Sequence, residues 1–349
     1  MPPARTTHVR RTRHARRGLA SCTVRRVSLS RDAARALETG LWDGFVSRAL
    51  ASALAPIATR GLVRPATVPP EIGLVCVGGA TLGGSGKTRV AIACARELAA
   101  RGTRVALVGH AYRAAPRSAR VVSTDEALDD VGDEALVCAR ELAGAYVPVV
   151  IGPTRQAAID HAVQLSPKPA AIVLDGPIAV RGRSRERSVS LLSVDANRPW
   201  GSGRLPPAGD LRAPREVLLG HADHVVSVDA MPAAVRWPSG DRAPLAMLRT
   251  MSIGLFTAIA RPDRLVRALA AAGVRPRELV SVADHGAPGG ARALLRQARV
   301  DAWVATAKCA LHLDGLSLGV PVGVLEAADV HLPRAVGEAL ARVSSSSRE

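Results

Sequence analysis

Aromatic side chains are scarce in this chain of 349 residues, which has two Phe, two Tyr and four Trp. Alanine, valine and leucine must fill the interior, and ring faces interleaved for base stacking are absent. Five cysteines (Cys22, Cys76, Cys94, Cys138 and Cys309) are scattered with no CxxC pair. That pattern argues against a zinc site or a disulfide framework and fits a reducing cytoplasm. No apolar run reaches the roughly twenty residues that a membrane-crossing helix needs. The N-terminal stretch has no apolar core of the secretory type. Lysine is also rare: Lys87, Lys168 and Lys308 are three of 47 basic side chains, the rest being arginine.

Against that background one stretch stands out. The apolar run Ile72 to Val77 leads into Thr81-Leu82-Gly83-Gly84-Ser85-Gly86-Lys87-Thr88, and a helical pattern follows from Arg89 to Ala100. Strand, glycine loop, Lys-Thr and helix together predict a phosphate cradle, a P-loop. Backbone N–H groups converge on phosphate oxygens, and the helix start adds partial positive charge. Lys87 would reach the β- and γ-phosphates, and Thr88 would sit on Mg²⁺. The generic motif has glycine where this chain has Thr81. Retaining lysine here, in a chain that otherwise prefers arginine, suits a compact point charge on a flexible stem.

Strand and helix patterns then alternate. Val105–Val108, Pro148–Gly152, Ala170–Asp175 and Val189–Asp195 read as strands, which predicts an α/β fold: a P-loop NTPase-like parallel sheet with helices on both faces. Ile253–Phe256 and Ala302–Thr306, with a helix from Arg264 to Ala272, predict a smaller second α/β domain. The expected divisions are a basic disordered arm over 1–33, an amphipathic helix over 34–64, a P-loop domain over 65–245 and a C-terminal domain over 246–349. The arm is rich in arginine and contributes to a net charge of +17. It suits anionic lipid, nucleic acid or no dedicated partner. Leu37, Leu41, Trp42, Phe45, Val46, Leu50, Leu54 and Ile57 recur at helical spacing. They would lie on a membrane surface or pack on the core.

Three acidic places are candidates for chemistry. Asp175 closes a buried-type strand, where a P-loop protein holds Mg²⁺; a turn aspartate is the alternative. Asp133-Glu134 opens a helix, where the pair serves either chemistry or the helix dipole. Asp284-His285 sits in a glycine-rich loop, as a proton-transfer pair or a solvated one.

From about Leu41 to Leu325 the chain resembles the tetraacyldisaccharide 4'-kinase family. Val77 to Thr88 is similar to that family's variant P-loop, including the residue at Thr81. Val131-Gly132-Asp133-Glu134 resembles its VGDEP motif, and Gly203 to Arg212 its GRLLPAGPLRE segment. Ala260 to Arg264 resembles IARPERF, Asp284-His285 a DHH-type motif, and Thr306-Ala307-Lys308-Cys309 a TEKD motif.

The resemblance implies transfer of the ATP γ-phosphoryl to the 4'-hydroxyl of a tetraacylated glucosamine disaccharide 1-phosphate. Asp133 would be the general base and His285 its partner. Thr81, Leu82, Gly83, Gly84, Ser85, Gly86, Lys87 and Thr88 would hold the nucleotide, and Thr88, Glu134 and Asp175 the Mg²⁺. It further implies a glycolipid substrate, peripheral attachment to the cytoplasmic face of an anionic inner membrane, a monomer, and no nucleic-acid partner.

The sequence also departs from the family. After Asp175 the family carries a second Asp, then Gly, an apolar residue, Gln and His; here Gly176-Pro177-Ile178-Ala179-Val180 follows. Its RGYG element is His110-Ala111-Tyr112-Arg113, the second His of DHH is Gly286, and Ala307 and Cys309 replace the acids of TEKD. These losses define a second reading, a paralogue that binds nucleotide without transferring phosphate.

Overall fold

The computed structural model describes residues 29–344, except 110, 112–113, 115, 183–184, 230, 260–261 and 283–287. The arginine arm up to residue 28, Tyr112, Arg261 and the Asp284-His285 pair therefore lie outside the described residues.

Seven strands form the first sheet: Arg120–Val121, Val149–Ile151, Val105–Val108, Ala171–Gly176, Gly73–Gly79, Ser188–Asp195 and His224–Val228, side by side in that order. Every pairing is parallel except that of the Arg120–Val121 edge strand. The strand that feeds the glycine loop is buried along its whole length, as expected of a central parallel strand with both faces covered. On one face lie the loop helix Lys87–Ala100, the helix Asp133–Leu142 and the last helix Arg334–Ser344. On the other lies Arg155–Ala162, through Ala158, Ile159 and Ala162.

A second sheet has six strands: Arg242–Pro244, Pro232–Arg236, Val322–Ala327, Ala302–Thr306, Ile253–Thr257 and Glu278–Ser281. Pro232–Arg236 pairs antiparallel on both sides; the other pairs are parallel. The two sheets do not divide at position 246. The second sheet takes strands from 232 onward, and the last helix returns to the first sheet, seating Val336, Leu340 and Val343 in its core.

The segment expected as one helix over 34–64 is two helices, Leu29–Thr39 and Phe45–Arg60. Gly40 takes φ 69° between them, a left-handed turn that ends the first helix. The first helix is pinned by Glu38, which is 5% exposed and meets Arg264 Nε at 2.5 Å. The second helix and the turn before it expose apolar side chains: Leu41 and Trp42 in the turn, and Phe45, Val46, Leu50, Leu54 and Ile57 on the helix, with Phe45 89% exposed. No helix among the described residues is long and apolar enough to cross a membrane.

Candidate active site

The glycine loop joins the end of Gly73–Gly79 to the start of Lys87–Ala100. Gly86, the residue before the helix, has φ 77°, and a Cβ there would stand 2.7 Å from Val228 Cγ1. Only glycine fits, because the turn is left-handed and the neighbouring strand end presses on it. Thr81, by contrast, forms a β-bridge to Leu211, and its hydroxyl donates to the Gly83 carbonyl at 2.7 Å. The Leu82 N–H donates to Asp210 O and the Arg212 N–H to Ala80 O. The Gly203–Arg212 segment is thus laced along the loop, which gives Thr81 an extended, side-chain-tolerant backbone.

At the loop's far end, Thr88 Oγ1 donates to Asp175 Oδ2 at 2.7 Å. Lys87 Nζ lies 3.2 Å from Asp175 Oδ1 and 3.8 Å from Glu134 Oε2. Burial opposes the Lys87 charge, but Asp175 and Glu134 outweigh it and hold its pKa above the ordinary lysine value. Asp133 and Glu134 open their helix after Gly132 at φ 82°. Asp133 is 2% exposed. Lys308 Nζ stands 3.7 Å from Asp133 Oδ2 and 3.6 Å from Glu134 Oε1. Lys87, Thr88, Asp133, Glu134 and Asp175 therefore form one connected group.

Two further residues join that group and received no role from the sequence. Lys308 is one of only three lysines, a signal that was present. His312 follows it by four positions and brings Nε2 to 3.4 Å from Asp133 Oδ2. Thr306 caps the short helix Ala307–Ala310, its hydroxyl accepting from the Cys309 N–H, and so sets the direction of Lys308. Cys309 turns away into the core, where its sulfur accepts from the Ala258 N–H and burial raises its thiol pKa.

A cleft of about 990 Å³ opens beside Lys87, Glu134 and Asp175, with Arg64, Arg155, Arg198 and Arg212 on its walls. Burial first, and then Arg64 as a neighbouring cation, lower the Arg212 pKa below the ordinary value. Gly176 has φ 124°, and a Cβ there would lie 2.8 Å from Arg155 Nη2. An arginine thus stands where the second acid of the family motif would project. Its Nη2 donates to the Asp175 carbonyl at 3.3 Å.

A glycine loop at the end of a central parallel strand, with Lys-Thr and a strand-end carboxylate converging on it, defines a P-loop phosphotransferase site. The family model described as LpxK, Tetraacyldisaccharide-1-P 4'-kinase, matches residues 45–318. A tetraacyldisaccharide 4'-kinase of Anaeromyxobacter dehalogenans is 32% identical over 76% of this chain and 79% of its own. One of Azorhizobium caulinodans is 30% identical over 85% and 91%. The crystal structure of LpxK from Aquifex aeolicus in complex with ATP superposes with a TM-score of 0.62 at 20% identity, covering 87% of this chain and 98% of that one. The chain belongs to the tetraacyldisaccharide 4'-kinase family.

Proposed function

We propose that the protein transfers the γ-phosphoryl group of ATP to the 4'-hydroxyl of a tetraacyl glucosamine disaccharide 1-phosphate, the lipid A 4'-kinase reaction. The observation that carries this reading is the convergence of Asp133, Glu134 and Lys308 with Lys87, Thr88 and Asp175 at the mouth of an arginine-walled cleft.

The loop amides from Thr81 to Gly86 and the Lys87 ammonium would hold the phosphates. Asp133 would take the proton of the sugar hydroxyl as its oxygen bonds to the γ-phosphorus. The bond from the γ-phosphorus to the bridging oxygen breaks in the same displacement and ADP leaves. Thr88 and Asp175, with Glu134 across from them, present the oxygen-only donor set that suits Mg²⁺. That ion, when bound, neutralises charge on the phosphate oxygens. Lys87 and Lys308 add fixed positive charge at the transferring group, and positioning of this kind supplies most of the rate in phosphoryl transfer. His285, which lies outside the described residues, would pair with Asp133 as the resemblance implies.

The cleft arginines suit an anionic acceptor head group. The exposed Leu41–Ile57 face supports peripheral attachment to a membrane surface, with Trp42 at the headgroup level and the acyl chains left in the leaflet. The basic arm would favour anionic lipid at roughly 1 kcal/mol per residue near the surface. The retained Asp133, which nucleotide binding alone does not require, favours transfer over that second reading.

The test is incubation of purified protein with radiolabelled ATP, Mg²⁺ and detergent-dispersed acceptor. Labelled lipid is expected from the native protein and none from Asp133→Ala. Native protein that binds ATP but never labels the acceptor would overturn the reading.

A further inference from the structure

We infer that His312 is a positioning residue for Asp133, holding the carboxylate in the orientation that proton transfer requires. The inference rests on the reading of Asp133 as general base and goes one step past it.

The side chain is 5% exposed and its Nε2 lies 3.4 Å from Asp133 Oδ2. Its other ring nitrogen, Nδ1, is buried with no hydrogen-bond partner among the described residues. A carboxylate only accepts, so the contact requires the proton on Nε2. The hydrogen bond therefore fixes the ring as a donor at Nε2.

Lys308 approaches the same oxygen at 3.7 Å. One hydrogen bond, from residue 312, and one ion pair, from residue 308, therefore hold Oδ2 from the second sheet's side of the site, both carried on one short stretch of chain. Asp133 itself starts a helix of the first sheet's layer. Rotation of the carboxylate about its Cβ–Cγ bond is restricted by groups carried on the other half of the molecule. Leu311 and Leu313 on either side are buried, so the backbone that carries the ring is held by packing. A base fixed in this way meets the hydroxyl in one geometry, and misplacement of a catalytic group by about 1 Å can cost a hundredfold in rate.

The experiment compares His312→Leu with His312→Gln, whose side-chain amide N–H can reach the same oxygen. For His312→Leu, kcat for acceptor phosphorylation is expected to fall about ten- to a hundredfold while KM for ATP stays within about twofold. His312→Gln is expected to recover most of that loss. Unchanged kcat in His312→Leu, or equal losses in both variants, overturns the proposal.

A second readout does not depend on turnover. Isotope-labelled histidine NMR of the native protein should show the His312 ring in its Nε2–H tautomer, and Asp133→Ala should shift that signal. A signal indifferent to Asp133 overturns the proposal whatever the kinetics. Native protein inert toward the acceptor, with the ring signal as expected, would instead sink the kinase reading and leave the contact standing.

Discussion

Lys87 and Lys308 stand at the two oxygens of one carboxylate: Lys87 Nζ is 3.8 Å from Glu134 Oε2, and Lys308 Nζ is 3.6 Å from Oε1. Asp175 and Asp133 flank the same two cations, so three carboxylates hold two ammonium groups in place where a phosphoryl group would pass, and both cations come from the chain's small stock of lysines.

Lys308→Ala should lower kcat for acceptor phosphorylation by about ten- to a hundredfold with little change in ATP affinity. Lys308→Arg should recover only part of the loss, because a planar guanidinium cannot place a compact charge between Asp133 and Glu134. Steady-state kinetics on the three proteins decides it; full activity in Lys308→Ala would remove the residue from the site.

Removing the Lys87 ammonium should weaken both ATP binding and transfer, by about a hundredfold or more in kcat/KM. The same ion contributes to stability with a definite pH dependence. Its folded-state pKa is raised above 10.5, so the contribution is full below that value and is lost as pH rises through the folded pKa. The stability gap between native protein and Lys87→Met should be flat through neutral pH and narrow in strong alkali. Denaturant midpoints from neutral pH into alkali measure it, and a gap that already narrows near neutral pH would contradict the assignment.

Gly176→Asp would restore the acid that the family motif carries after the strand-end aspartate. Here the change should harm rather than help. The backbone sits at φ 124°, and Arg155 fills the space a Cβ needs. A cost of about 1–3 kcal/mol is expected from the backbone alone. A lower melting temperature and reduced kinase activity are the expected outcome. A more active variant would mean that the arginine is not a working replacement at that position.

Phe45→Glu with Val46→Glu should abolish co-sedimentation with anionic vesicles and leave the melting temperature within a degree or so, since surface changes at exposed positions are worth about 0.5 kcal/mol or less. Both side chains are exposed, at 89% and 70%. Undiminished vesicle binding would move the membrane contact elsewhere.

Much of this was legible in the sequence, for local reasons. The glycine loop, its strand and its helix are contiguous, so their pattern survives in a short window. Asp133, Glu134 and Asp175 were readable because each sits where a regular element starts or stops. His312 was not, because its partner lies 179 positions away and nothing near it announces a carboxylate. The antiparallel strands Pro232–Arg236 and Arg242–Pro244 escaped for a similar reason: short, half-exposed segments acquire strand character from partners such as Val322–Ala327. The one-helix reading of residues 34–64 failed at Gly40, whose left-handed backbone interrupts an otherwise continuous periodicity.

The return of the Arg334–Ser344 helix to the first sheet has a mechanical corollary. The polypeptide leaves for the second sheet near Asp229 and comes back near Ala328, and Arg89 donates to the carbonyls of both. The smaller sheet is therefore slung from a pair of tethers that meet one guanidinium, directly beside Thr88. Of all rigid swings, the one about the line joining those tethers stretches neither, so any gape or clasp of the cleft pivots next to the phosphate loop itself.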